Sequence, residues 1–398
     1  MREVPLVIHV DRSGTVEALE DALRTVVAHE GVRGVLILGC SANGFTPERV
    51  DPILQHQDVP VVGGLFPAIL AGEEMLEVGT ILVGLTMALT PVHVEGLDGN
   101  DRDYVAQIDA GLAAGSGAAG SGVAGSGAAS TVLVLLDAFA PHIDRFIEAL
   151  YTVLGPEKTY LGGGVGSLEM DRSPALLSNR GMTTGGALLL VLDTASCLGV
   201  GHGWTPVAGP FRVTESEGVE IRSLDSVTAF DVYREVIREA GGGDITRECF
   251  FEIAKAYPFG ISRMEEELVV RDPFAVNSRG ALVCVGSVPR GAFVHVLHGD
   301  EESLLAAAAD AREQIARNRD RLTARGGTDG TARETTRLFF DCISRVLFLG
   351  DRFPEELRAV TLGASALVGA CSIGEVANNG DSYLEFYNKT AVVADIEH

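Results

Sequence analysis

VVGGLFPAI beginning at Val61, YLGGGVGSL at Tyr160 and LVGACSIGE at Leu367 are three versions of one phrase. Gly63, Gly162 and Gly369 take the same place in each. An apolar run stands upstream of every copy: VLILGCS from Val35, VLVLLDA from Val132 and RLFFDCI from Arg337. Another stands downstream: TILVGLT from Thr80, ALLLVLD from Ala187 and AVVADIE from Ala391. Recurrence at this scale predicts repeated supersecondary units. The glycine phrases read as small-residue turns, where backbone approaches backbone or a ligand, and which could converge on one cavity.

The segments between the phrases fill in the plan. Val16, Leu19, Leu23, Val26 and Val27 share one face of a helix opening near Thr15, the spacing of an amphipathic helix. Pro47 suits a first helical turn with Thr46 as its cap. A strand from Thr131, a helix from Pro141 and a strand into YLGGG repeat the order. GLAAGSGAAGSGVAGSGAAS, from Gly111 to Ser130, is too poor in apolar surface to offset chain entropy and reads as a flexible loop. No GK[ST] follows it, so it is not a phosphate cradle of the P-loop kind. From about Cys197 the apolar–polar alternation of antiparallel strands takes over, until the repeated plan returns at Phe293. The predicted fold is α/β, mixed α+β: two domains, 1–210 and 211–398, of repeated β-α-β-α-β units with antiparallel strand additions.

Composition narrows the function. The 398 residues suffice for two cores. A net charge of -24 opposes nucleic acid and anionic membranes. Lysine occurs only at Lys158, Lys255 and Lys389. No apolar run approaches the roughly 20 residues that span a bilayer, and MREVPLVIHVDRSG has no cleavable apolar core. The six cysteines lack CxxC spacing and read as reduced thiols of a cytoplasmic protein, with no metal site or cofactor expected.

On these elements the chain resembles the FIST family, sensory proteins with an N-terminal and a C-terminal FIST domain. GHGWTPVAGPFRVTESEGVEIRSLDSVTAFDVY is similar to the segment joining the two domains. FDCISR resembles a C-x-x-R element, CSIGEV a Gly-Glu turn, YNKT a terminal N-x-T strand and YLGGGVGSL the GG turn of the first domain. Phe66 and Pro67 depart from the pattern, because the other copies carry small or polar residues there. No kinase, cyclase, receptor or F-box segment is visible, so the chain reads as a stand-alone copy. The resemblance implies signal transduction through a small ligand, with amino acids as the suggested class and a signalling protein as a possible partner. It implies no established catalytic mechanism.

The expected ligand-binding residues are Arg345, Glu375 and Asn388, with Cys342, Ser372, Thr390 and Gly374 at the edge. An arginine fork binds a carboxylate through two parallel hydrogen bonds, and Glu375 would take an ammonium. The alternative is that Arg345 and Glu375 simply pair with each other. A possible second site comprises Gly163, Gly164, Ser167 and Asp137, although an Asp at a strand end is as often a cap. Two other functions stay open. One is a hydrolase or transferase with Cys342 or Cys371 as nucleophile and a base such as His202, His295 or His298. The other is a ligand-free acidic scaffold. No HExxH, GxSxG or P-loop signature is present, and His202 beside Trp204 reads as packing.

Overall fold

The computed structural model describes residues 6–99, 102–119, 130–262, 268–324, 335–378 and 383–397. The chain opens with β1 (Val7–Asp11), α1 (Val16–Val27), β2 (Gly34–Cys40), α2 (Pro47–Gln55), β3 (Val61–Phe66), the hairpin β4 (Ala68–Ala71) and β5 (Glu74–Leu76), then β6 (Thr80–Leu85). The same order recurs as β7 (Leu89–Glu95), α3 (Tyr104–Ala119), β8 (Thr131–Asp137), α4 (Ile143–Leu154), β9 (Thr159–Val165), the hairpin β10 (Leu176–Ser178) and β11 (Gly181–Thr183), and β12 (Gly186–Leu192).

The third round is interrupted. After β13 (Ser196–Gly201) come β14 (Thr205–Glu217), β15 (Glu220–Leu224), β16 (Val227–Thr228), α5 (Ala229–Glu239), α6 (Phe250–Ala254), β17 (Phe259–Ser262), β18 (Leu268–Val276), β19 (Leu282–Val285) and β20 (Phe293–His298). The plan then resumes with α7 (Glu301–Ala324), β21 (Thr335–Cys342), α8 (Ile343–Leu349), α9 (Phe353–Thr361), β22 (Ala366–Ser372), the pair β23 (Glu375–Ala377) and β24 (Glu385–Tyr387), and β25 (Ala391–Glu397). Pro210, where the sequence suggested a cut, falls inside β14.

Strand pairing follows one rule in all three rounds. The first strand lies antiparallel to the last, the last antiparallel to the second, and the second parallel to the third. Each hairpin leaves its own sheet. β10–β11 extends the first sheet beside β3, β23–β24 extends the second beside β9, and β4–β5 extends the third beside β22. The register is the same each time, with Gly63 opposite Leu177, Gly162 opposite Val376 and Gly369 opposite Leu70. Each sheet is therefore completed by another.

The three glycine phrases are not turns. Gly63, Gly162 and Gly369 lie inside the buried strands β3, β9 and β22, directly beside Ile37, Val134 and Phe339 of the parallel neighbour. A Cβ on any of the three would sit under 3.0 Å from that neighbour's carbonyl oxygen. Glycine is needed because backbones meet, not because the chain bends. One residue further on, a Cβ at Gly64 would strike Val165 and one at Gly163 would strike Ser372, so the central strands also press on each other. β2, β8 and β21 are buried or nearly so along their lengths, which accounts for their unbroken apolar runs.

The inserted strands form a barrel. β14, β20, β17, β18, β19 and β15 pair antiparallel in that order, and β15 returns to β14. Phe230, Tyr233 and Ile237 of α5 pack with the barrel's apolar side chains. The Tyr233 hydroxyl donates to the Tyr257 carbonyl at 2.6 Å.

The stretch from Gly111 differs from its sequence reading. It is helical to Ala119, and a Cβ on Gly111 or Gly115 would fall under 3.0 Å from Val92 or Thr90 of β7. Small residues here permit close helix–strand packing, a use that composition alone does not distinguish from a loop. Residues 120–129 of the expected loop lie outside the described residues.

Gly369→Ala is expected to destabilise by about 3 kcal/mol or more, the upper range for overpacking. Gly72→Ala, with φ +61 and open space around it, should cost only about 1–2 kcal/mol. Urea unfolding of both variants checks the contrast; equal losses would remove the packing explanation.

Candidate functional site

A cleft of about 750 Å³ opens over the carboxyl ends of two parallel strand pairs. Ala138 to Pro141 follow β8, Ser167, Leu168 and Met170 follow β9, Ile343 and Ser344 follow β21, and Ile373 follows β22. The barrel closes the other side with Val219, Phe251, Asp272, Phe274 and Cys284 to Ser287. Crevices at the carboxyl ends of parallel strands are where α/β sheets bind ligands, since loops there diverge from a rigid base. Leu168, Met170, Phe251 and Leu347 form an exposed apolar mouth. The first round contributes no lining residue. There Phe66 turns inward against Phe340, with ring centroids 6.3 Å apart, so the departure seen in VVGGLFPAI fills space.

Asp272 forms the polar floor. It is 2% exposed, and its Oδ2 accepts from Ser344 Oγ at 2.7 Å and lies 3.2 Å from Lys389 Nζ. Oδ1 has no hydrogen-bond partner among the described residues. Nearer the mouth, Asp144 accepts from Ser287 Oγ and lies 3.6 Å from the Arg271 guanidinium. Arg172 stands exposed at the rim.

Lys389 ties this floor to a second polar layer. Its ammonium also donates to the Lys255 carbonyl at 2.9 Å and sits 5.2 Å from the centre of the Trp204 ring. Trp204 Nε1 donates to the Lys389 carbonyl at 3.2 Å. The backbone there holds φ +53, uncommon for a side chain with a Cβ and a mark of a position fixed by its surroundings.

The residues expected from sequence lie in or beside that second layer, and none of the seven lines the cleft. Arg345 is wholly buried. It pairs with Glu356, lies 3.1 Å from Asp341 and donates to the carbonyls of His202 and Leu304. Its Nε–H is directed at Glu356, which leaves both Asp341 oxygens without a hydrogen bond among the described residues. Glu375 instead accepts from Ser372 Oγ at 2.9 Å and the Thr390 amide at 3.4 Å. Thr390 Oγ1 donates to the Asn388 carbonyl, and Asn388 Oδ1 accepts from the Asp272 amide at 3.3 Å. Gly374, at φ +81, lies where a Cβ would strike the Phe386 ring.

Of the second group, Ser167 lines the cleft and donates to Asp171. Gly163 and Gly164 accommodate the backbone of the β22–β23 turn, with the Gly164 amide bonded to the Gly374 carbonyl at 2.8 Å. Asp137 is a bracket, accepting from the amides of Phe139 and Gly185 and from Thr184 Oγ1.

Burial sets the ionisation of this layer. It raises Asp341 and Glu375 well above the ordinary carboxyl range, with Glu356 adding to the effect on Asp341. Burial also raises Glu356, against the lowering pull of Arg345 beside it. Burial likewise pushes the Cys342 and Cys371 thiols up, away from the thiolate a nucleophile requires. Burial first, then Arg345, lowers His202 to about 4; its Nδ1 accepts the Trp204 amide at 3.0 Å.

Sequence reasoning did not reach Asp272, Asp341, Glu356 or Lys389. Charged residues inside the apolar runs LVVRDPF and RLFFDC were one available signal. The scarcity of lysine was another.

The family model described as FIST N domain matches residues 34–226, and the one described as FIST C domain matches 229–378. The chain belongs to the FIST family, whose domains are sensory modules of signal transduction. No curated protein matches it. The two matched spans meet at the turn between β15 and β16, so strands from both are needed to close the barrel.

Glu375 gives a pH test. Unfolded, it ionises near 4.5; folded, it keeps its proton to higher pH. The folded state then binds more protons, so this contribution to stability is full below the unfolded value and is lost as pH rises toward the folded one. Glu375→Gln stays neutral throughout. Its melting temperature relative to the wild type should therefore climb as pH rises above about 4.5; a constant difference would mean that the fold does not raise Glu375.

Proposed function

We propose that this chain is a cytoplasmic small-ligand sensor whose ligand, an amino acid or similar small molecule with an ammonium group, enters the cleft between the barrel and the strand ends. The observation that carries this reading is Asp272 Oδ1, a buried carboxylate oxygen at the cleft floor with no hydrogen-bond partner among the described residues. Leaving such a group unpaired costs about 1–3 kcal/mol, which a ligand donor would recover. Asp144 offers a second acceptor, and Arg172 at the rim suits a carboxylate. The volume lies within the usual 300–1,000 Å³ range of small-molecule sites. Arg345, Glu375, Asn388, Cys342, Ser372 and Thr390 then act behind the floor, fixing Lys389 and Asp272 rather than touching the ligand. A ligand clasped there bridges barrel and sheets, which supplies a means of signalling to a partner protein.

A thermal-shift screen of the twenty amino acids and small amines, followed by calorimetry, tests the reading. Asp144→Asn should weaken a hit by about 1.5–3 kcal/mol, roughly one to two decades in Kd. Leu347→Arg, a change at an exposed position, should block entry. A hit indifferent to both Asp144→Asn and Leu347→Arg would rule out the cleft.

A further inference from the structure

We infer that the barrel carries a second, separate site: a groove of about 640 Å³ that binds a compact polyanion, the class of a phosphorylated small molecule. Arg212, Arg222, Arg279 and Arg290 all line it. The chain has 31 basic against 55 acidic residues, so a gathering of four arginines runs against its overall charge. Arg222 is occupied by Glu217 and Glu220. The guanidinium groups of Arg212, Arg279 and Arg290 have no partner among the described residues.

These three are held by rigid turns. The Arg279 and Ala281 amides both donate to Asn277 Oδ1, at 2.9 and 3.0 Å. Arg290 sits in a turn closed by the Ala292 amide on the Pro289 carbonyl, with Gly291 at φ +89. Arg212 is fixed through its amide to Asp225 Oδ1 at 3.0 Å, and its carbonyl accepts the Asp225 amide. Asp225 and Ser226 make the two-residue turn between β15 and β16 at φ +47 and +69. The second position of such turns is usually glycine, so Ser226 holds a backbone conformation uncommon for a residue with a Cβ. The Ser226 amide is secured by Thr214 Oγ1 at 3.0 Å.

The chemistry selects the class. Three guanidinium forks carried on fixed backbone turns match the paired oxygens of phosphate or carboxylate groups. The lining includes Thr214, Ser223, Ser226 and Thr228 hydroxyls, while its apolar members are Val213 and Ala281. Among the described residues, no aromatic ring lines it on which a base would stack. Glu215 and Glu220 also border the groove, which leaves a net positive charge and disfavours a neutral ligand.

Isothermal titration with pyrophosphate, with inorganic sulfate as control, tests the site in the whole chain. Pyrophosphate should bind the wild type more tightly than sulfate, and Arg279→Gln and Arg290→Gln should each weaken it about tenfold, as expected for a lost charge-assisted bond. Arg279→Lys should recover only part of the loss, because lysine lacks the fork. Both positions are exposed, and matching melting temperatures will show that the three variants fold. Absent pyrophosphate binding, binding equal to sulfate, or affinity indifferent to both Gln variants would overturn the inference. A poly-glutamate peptide that binds more tightly than pyrophosphate with the same arginine dependence would also overturn it, in favour of a protein partner.

Discussion

The rest of the molecule depends on backbone meeting backbone at Gly63, Gly162 and Gly369. Each glycine lies against a carbonyl of the parallel strand on one side and opposite a hairpin from another round of the chain on the other. Because each sheet receives its outer strands from another, no single round completes its own sheet. A Cβ at one of these positions would push a strand away from two partners at once. Close packing leaves little room to absorb such a shift.

The same arrangement makes the cleft. Two parallel strand pairs, β8–β9 and β21–β22, are brought side by side with their carboxyl ends open, while Phe66 fills the corresponding place in the first round. Inserting the barrel between β13 and α7 sets a second wall over that opening. The join is electrostatic at its heart: Lys389 from the last β-turn holds Asp272 of the barrel, and Trp204 holds Lys389. Burying a charge is costly unless it is paired and hydrogen-bonded. The layer behind it meets that condition by pairing Arg345 with Glu356, while burial shifts Asp341 and Glu375 toward their neutral forms. Breaking one member would leave another charge stranded, so the polar layer fixes the relative placement of barrel and sheets.

Much of this architecture was legible in the sequence. The repeated phrase, the apolar runs and the change of texture after Cys197 marked α/β units and antiparallel additions, because burial on both faces and alternation on one leave distinct periodicities. The FIST resemblance rested on the same stretches. Composition misled where one residue type serves two purposes. Gly, Ala and Ser from 111 to 119 looked like a loop, yet in α3 they allow a helix to lie close on β7. Glycine in the repeated phrase looked like a turn, yet it lies within strands.

By itself, then, the sequence determined the class of fold and the family. Only the tertiary structure decided which charges meet. Arg345 finds Glu356 rather than Glu375, and the open acceptor is Asp272, 70 or more positions from the polar residues it joins. Side-chain partners at that separation are set by how sheets and barrel stack, a long-range geometry to which local periodicity carries no information.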